Sequence, residues 1–506
     1  MARTPALPLL ALLAGCGPCG GSGPAELAPA PISLELPTPD PPKQPARHVL
    51  YLLVDGVGEE LCAAEGLANL GPLVAERCVT LDLDVHGPGG VPGAFATLVT
   101  GVGPGEHGVF ADSEVRWTTP GTAGERRAWG ERPRRAPLAW ERLAQDDYAV
   151  VTLAVPAEAP PAPLNRAEQI VGAELPGPWG PEPEALHVGG GSTEHVRAVV
   201  WGEDGSFAWT GPGDLRIEGR REGDSLRLGD GVTALVPGGW SERLRFLAPL
   251  PDGRTARAWT QAWLAPEGDR VFLSPLSAEA ASPWLPLGHP STAALDLEAS
   301  GFALRSASFA PERAAVRAGL LPPTALEQLI SETVTRRAGA SAQVARRAQP
   351  ALLVVAFPEL GGLPEPLAAL DEAVGPLLEA HRGPTVLVGL GGPADGERIA
   401  LPTLEGASVT GAAVRLDREL PPARRRHLLG QHRQALLALP GVERVVPGNE
   451  VGGPRAGLAP DLLVIPASGF VVSGSGTGRT APVLVGAAEA PVDVAALADW
   501  IASAPR

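Results

Sequence analysis

At 506 residues the chain exceeds one typical core, which predicts two domains or one large domain carrying an insertion. Its hydrophobic fraction of 44% can form a sizeable core without help from metals or disulfides. A net charge of −16, with no long basic run, argues against nucleic acid as a partner, because polyanion binding needs a basic face to displace counterions.

The first residues read as a targeting signal rather than as folded structure. Arg3 supplies a positive start, residues 5–13 an apolar run too short to span a membrane, and Leu13-Ala-Gly-Cys16 matches a lipobox. This predicts a signal peptide over 1–15 and a lipid on Cys16, with an ordinary secretory signal as the alternative. Gly17 after the cysteine favours an outer membrane over an inner one. Residues 16–47 are rich in Gly, Pro and Ala and read as a tether. Lys43 is the only lysine, and heavy use of Ala, Gly, Pro and Arg fits a GC-rich bacterial genome.

Residues 48–55 form an apolar run that ends in Asp55-Gly56, the pattern of a buried strand delivering an acid at its tip. A helical period follows over 59–74, and 78–84 alternates as a strand. Cys62 and Cys78 flank that predicted helix and either form a disulfide or remain two buried thiols. Residues 137–143 read as a helix and 148–156 as a buried parallel-type strand. From 181 to 300 short alternating strands are broken by Gly-Asp and Asp-Gly turns, a β-rich insertion. Trp240 and Trp284 lie within it, placed either in its core or along a ligand groove. Helices return from 303. Residues 350–359 and 385–388 are further apolar strands, with a helix over 367–380 between them, a strand at 461–465 and a last helix from 492. Strands alternating with helices give an α/β fold, a doubly wound sheet with helices on both faces. The core comprises residues 48–180 and 301–506.

Several of these phrases together resemble the alkaline phosphatase superfamily, closest to its predicted phosphohydrolase/phosphomutase branch near the type I phosphodiesterases. They are the strand ending in Asp55, Asn69-Leu70 with Leu73, Thr100-Gly101 followed by Pro104-Gly-Glu-His107-Gly108, the block 138–177, Gly238-Gly-Trp240-Ser241, Ser274-Pro275 and Ala459-Pro460-Asp461. The resemblance implies metal-dependent phosphoester hydrolysis. Two zinc ions would be held by carboxylates and imidazoles converging from several strand ends, and would activate a Ser or Thr nucleophile.

Against that expectation, residues 81–96 contain no Ser or Thr, and the nucleophile position falls on Gly90 to Gly93. The ligand steps expected after residues 357 and 388 carry Gly361-Gly-Leu-Pro364 and Gly389-Leu-Gly-Gly392, and no His follows His432. Only Asp55 is clearly kept. His86, His107, Glu359 and Asp395 are the substitutes to weigh. His86 otherwise faces solvent, and His107 otherwise packs within its turn. Thr97 and Thr100 belong to the structural turn. Gly474-Ser-Gly-Thr-Gly-Arg479 looks like a phosphate loop but lacks the Walker lysine and opens no helix.

These losses predict a membrane-tethered, catalytically degenerate protein of the cell envelope. It would bind an unidentified envelope ligand or protein and need no cofactor. Two alternatives stand beside it, a hydrolase with relocated zinc ligands and a binding module carried by the β-rich insertion.

Overall fold

The computed structural model describes residues 43–83, 90–110, 113–119, 122–127, 136–155, 167–170, 185–189, 196–210, 216–223, 225–228, 231–234, 237–249, 255–268, 270–275, 277–278, 309–391, 397–410, 412–450, 459–467, 470–472 and 481–506. The signal peptide, Cys16 and most of the tether lie outside these residues. So do His86, Trp284, Asp395 and the 474–479 loop.

A seven-stranded sheet forms the centre. Its strands in chain order are β1 (Val49–Val54), β2 (Cys78–Thr80), β3 (Val150–Leu153), β4 (Ala167–Ile170), β5 (Leu352–Phe357), β6 (Thr385–Gly389) and β7 (Val483–Gly486). They lie in the order β2-β7-β6-β1-β5-β3-β4. β1 pairs in parallel with β5 and β6, β5 with β3, and β3 with β4, whereas β7 runs antiparallel to β6 and β2. The runs over 48–55, 350–359 and 385–388 therefore share one sheet, as their apolar character predicted.

β1 shows why the run is continuous rather than alternating. Leu50, Leu52 and Val54 pack on one face against residues of the helices Pro323–Arg347 and Pro366–Ala380, such as Leu329, Ile330 and Leu370. Val49, Tyr51 and Leu53 pack on the other face with Phe95 and Leu98 of the helix Gly90–Thr100 and Leu497 and Ile501 of the helix Val494–Ser503. A strand covered on both faces must be apolar at every position.

Two departures concern local structure. The period over 59–74 predicts one helix, but the chain forms two short ones, Glu60–Ala63 and Gly71–Glu76. Gly66 between them is left-handed at φ 77°. The backbone N–H groups of Ala68, Asn69 and Leu70 all donate to the Asp371 carboxylate, at 3.0, 3.0 and 2.7 Å, instead of to preceding carbonyls. Cys62 and Cys78 are joined as a disulfide with Cα atoms 5.5 Å apart.

The second departure lies in the last third. The apolar run at 461–465 reads as another core strand, yet Leu462–Pro466 sits in a separate four-stranded antiparallel sheet with Ala407–Thr410, Ala413–Leu416 and Val442–Pro447. Its own core includes Val414, Val445, Val464 and Leu436 of the helix Pro422–Leu437. Asp461 pins this unit, accepting from Leu416 N–H at 2.8 Å and pairing with Arg425 at 2.5 Å.

Within the predicted insertion, the strands of the described residues from 185 to 278 form three small sheets. Trp240 is partly buried and packs against the core: its indole N–H donates to the Ala325 carbonyl at 2.7 Å and its ring stands edge-on to Phe272 at 6.1 Å.

Candidate functional site at the strand ends

β5 and β6 are consecutive in the described core and lie on opposite sides of β1, so the chain changes direction there. In open α/β sheets ligands bind in the crevice outside the strand ends at such a switch point. The tips of β1, β5 and β6 carry Asp55, Pro358-Glu359 and Leu390. Backbone hydrogen bonds hold them together, with Asp55 N–H donating to Phe357 O at 3.2 Å and Leu390 N–H to Val54 O at 2.9 Å.

The loops beyond the tips are in close contact. Gly56 is left-handed at φ 83°, and a Cβ on it would come within 2.5 Å of the Gly361 nitrogen. A Cβ on Gly361 would in turn stand 2.7 Å from Asp55 Oδ2. Only glycine permits both approaches. The glycines found where the resemblance expects ligands therefore admit backbone and carboxylate into the space over β1 and β5. Asp55 itself is largely buried.

Glu359 is fully buried and bonded to Arg337, itself 2% exposed, at 2.5 Å. Arg337 also donates to the Ala356 carbonyl at 2.9 Å. Arg337 was not singled out in the sequence. A signal was present, because Ile330, Val334, Arg337, Ser341 and Val344 recur at helical spacing on the buried face of Pro323–Arg347. An arginine within an apolar stripe needs a buried partner.

His107 is completely buried, and both of its ring nitrogens are used. Nδ1 accepts from Val109 N–H at 3.1 Å, which leaves the proton on Nε2. Nε2–H then faces Thr97 Oγ1 at 3.0 Å, and that hydroxyl donates to Gly93 O at 2.9 Å. This relay ties the 107–109 turn to the first turn of Gly90–Thr100, where the sequence places the missing nucleophile. His107 closes the short helix Pro104–His107, whereas Thr97 and Thr100 lie in the helix Gly90–Thr100 and not in the turn expected for them, so the His107–Thr97 contact joins two helices. Burial lowers the His107 pKa from 6.5 to about 4.

The sign of the resulting pH dependence follows directly. Between pH 4 and 6.5 the unfolded chain binds a proton at His107 that the native chain does not, so stability falls on acidification. This contribution is whole above the unfolded pKa of about 6.5, and roughly 3 kcal/mol is lost as the pH drops to the native value. Denaturant titrations at pH 7 and pH 5 should show the loss. A His107→Gln variant should show a shallower pH slope, and an unchanged slope would contradict this account.

Among the described residues no three His, Cys, Asp or Glu side chains are grouped as metal donors. The structure brings Asp55 and Glu359 to neighbouring strand tips and leaves His107 engaged in its turn.

No family model and no curated protein matches the sequence. Solved structures do. Phosphonoacetate hydrolase from Sinorhizobium meliloti 1021, in complex with phosphonoacetate, is 11% identical with a TM-score of 0.46, over 91% of this chain and 97% of that one. Murine ectonucleotide pyrophosphatase/phosphodiesterase 5 is 8% identical with a TM-score of 0.39, over 87% of this chain and 88% of that one.

Proposed function

We propose that the chain is a catalytically degenerate phosphohydrolase-like protein, tethered through a lipid on Cys16 and acting in the bacterial cell envelope by binding a ligand or protein partner. One observation carries the reading. The two substitute donors within the described residues already have protein partners, Glu359 in Arg337 and His107 in Val109 and Thr97. Asp55 alone offers far fewer donors than the four a tetrahedral zinc takes, and two zincs would need more. With Gly90 to Gly93 at the nucleophile position, no hydroxyl is offered there to carry a phosphoryl group. The Cys62–Cys78 disulfide supports export, because such bonds persist in oxidising compartments.

The alternative is a zinc-dependent phosphoester hydrolase with relocated ligands, and one experiment separates the two. Purified full-length protein is expected to bind zinc no better than its Asp55→Ala variant and to leave generic phosphomonoesters and phosphodiesters intact. Stoichiometric zinc, or turnover abolished by Asp55→Ala, would establish the hydrolase instead. For the tether, Cys16→Ser should release the protein from membranes, and unchanged fractionation would remove the lipid anchor from the proposal.

A further inference from the structure

The strand-end acids meet guanidinium groups, and both guanidiniums come from the same helical layer. Arg337 closes on Glu359 and on the Ala356 carbonyl near the end of β5, with its charge 5.7 Å from the centre of the Phe357 ring. Arg313 lies on the preceding helix, Ala310–Arg317, and reaches the loop after β5. Gly361 and Gly362 are consecutive in that loop. A Cβ on Gly361 would stand 2.7 Å from Asp55 Oδ2, and one on Gly362 would collide with Arg313 Nη2. Neighbouring Cα atoms are about 3.8 Å apart, so the carboxylate and the guanidinium lie against adjacent residues of one loop.

We infer that Arg313 and Arg337 supply from within the protein the positive charge that the acids at the strand ends would otherwise take from divalent cations. The inference rests on the degenerate reading of the site and deepens it by naming what stands in for the metals. A carboxylate removed from water needs a counter-charge. A divalent cation provides one only where several donors converge, whereas an arginine brings its own tether, a permanent charge and a fork of donors. Burial lowers the Arg313 pKa, Asp55 and Glu312 oppose that shift, and Arg317 adds to it. The strand ends then form a charge-balanced plug between the sheet and its helices.

Thermal unfolding of the full-length protein tests this. For the wild type, EDTA or added zinc should move Tm by less than about 1 °C. Arg313→Met, which keeps the bulk and removes the charge, should lower Tm by roughly 5 °C, while Arg313→Lys should lose less than half as much. Asp55→Asn combined with Arg313→Met should recover part of the loss, because the charges of that pair are then both gone while Glu312 keeps its own. Equal behaviour of the Lys and Met variants, or no recovery in the double variant, would overturn the inference. So would a zinc-induced rise in wild-type Tm that Asp55→Asn abolishes. The hydrolysis assay separates the two readings: an inert protein whose Lys and Met variants behave alike keeps the degenerate reading and loses this one.

Discussion

Truncating Glu359 to alanine is expected to cost about 3–5 kcal/mol of stability, the largest loss from any single strand-end change. The magnitude follows from what the change leaves behind. Arg337 is 2% exposed and sits between the helix Pro323–Arg347 and the end of β5. Without Glu359 its buried charge has no other carboxylate partner among the described residues. Arg337→Met should be costly too, because it strands the Glu359 charge instead. The double variant Glu359→Met with Arg337→Met should be more stable than either single one, since a buried ion pair exchanged as a whole for apolar side chains is often near neutral. Urea denaturation of the four proteins gives the coupling directly. A Glu359→Ala protein within about 1 kcal/mol of wild type would show that the pair is far less buried than the structure places it.

Asp371→Ala is expected to cost about 3 kcal/mol, although the residue has no role at the strand ends. Its carboxylate takes three successive backbone N–H groups, and its own carbonyl accepts from Asn69 Nδ2 at 2.7 Å. Leu70 is fully buried, so its N–H cannot turn to solvent when the acceptor is lost. Gly375 completes the contact, because a Cβ there would stand 2.8 Å from Asn69 Oδ1. Asp371→Asn keeps one acceptor oxygen and should lose less. Reducing the Cys62–Cys78 bond in the Asp371→Ala background should then loosen residues 59–76 further, visible as faster amide exchange there than in the reduced wild type. Equal exchange in the two reduced proteins would mean that Asp371 does not hold this segment.

Asp371 also shows where local pattern stops being informative. Residues 59–74 carry a helical period, and nothing in that window announces an acid some 300 positions later that captures three of its amides. The strand at 462–466 is a second case. An apolar run of that length is equally at home in a parallel sheet covered on both faces and in a small antiparallel one. Only the pairing with Ala413–Leu416 and Val442–Pro447 decided between them.

By itself the sequence determined the central strands and which side chains stand at their ends. The runs ending at Asp55, Phe357 and Val388 are apolar but for Tyr51 and Thr385, both buried, so they present no polar face to solvent and are covered on both faces. The glycines at 90, 93, 361 and 389 state which side chains are absent wherever the chain goes. The tertiary structure alone decided which charges meet there. Arg337 meets Glu359 across 22 positions, Arg313 approaches Asp55 from a helix that follows the insertion, and Gly361 and Gly362 let both charges reach the same loop. A side chain's type is written locally, but its counter-charge is chosen by whichever elements pack against it.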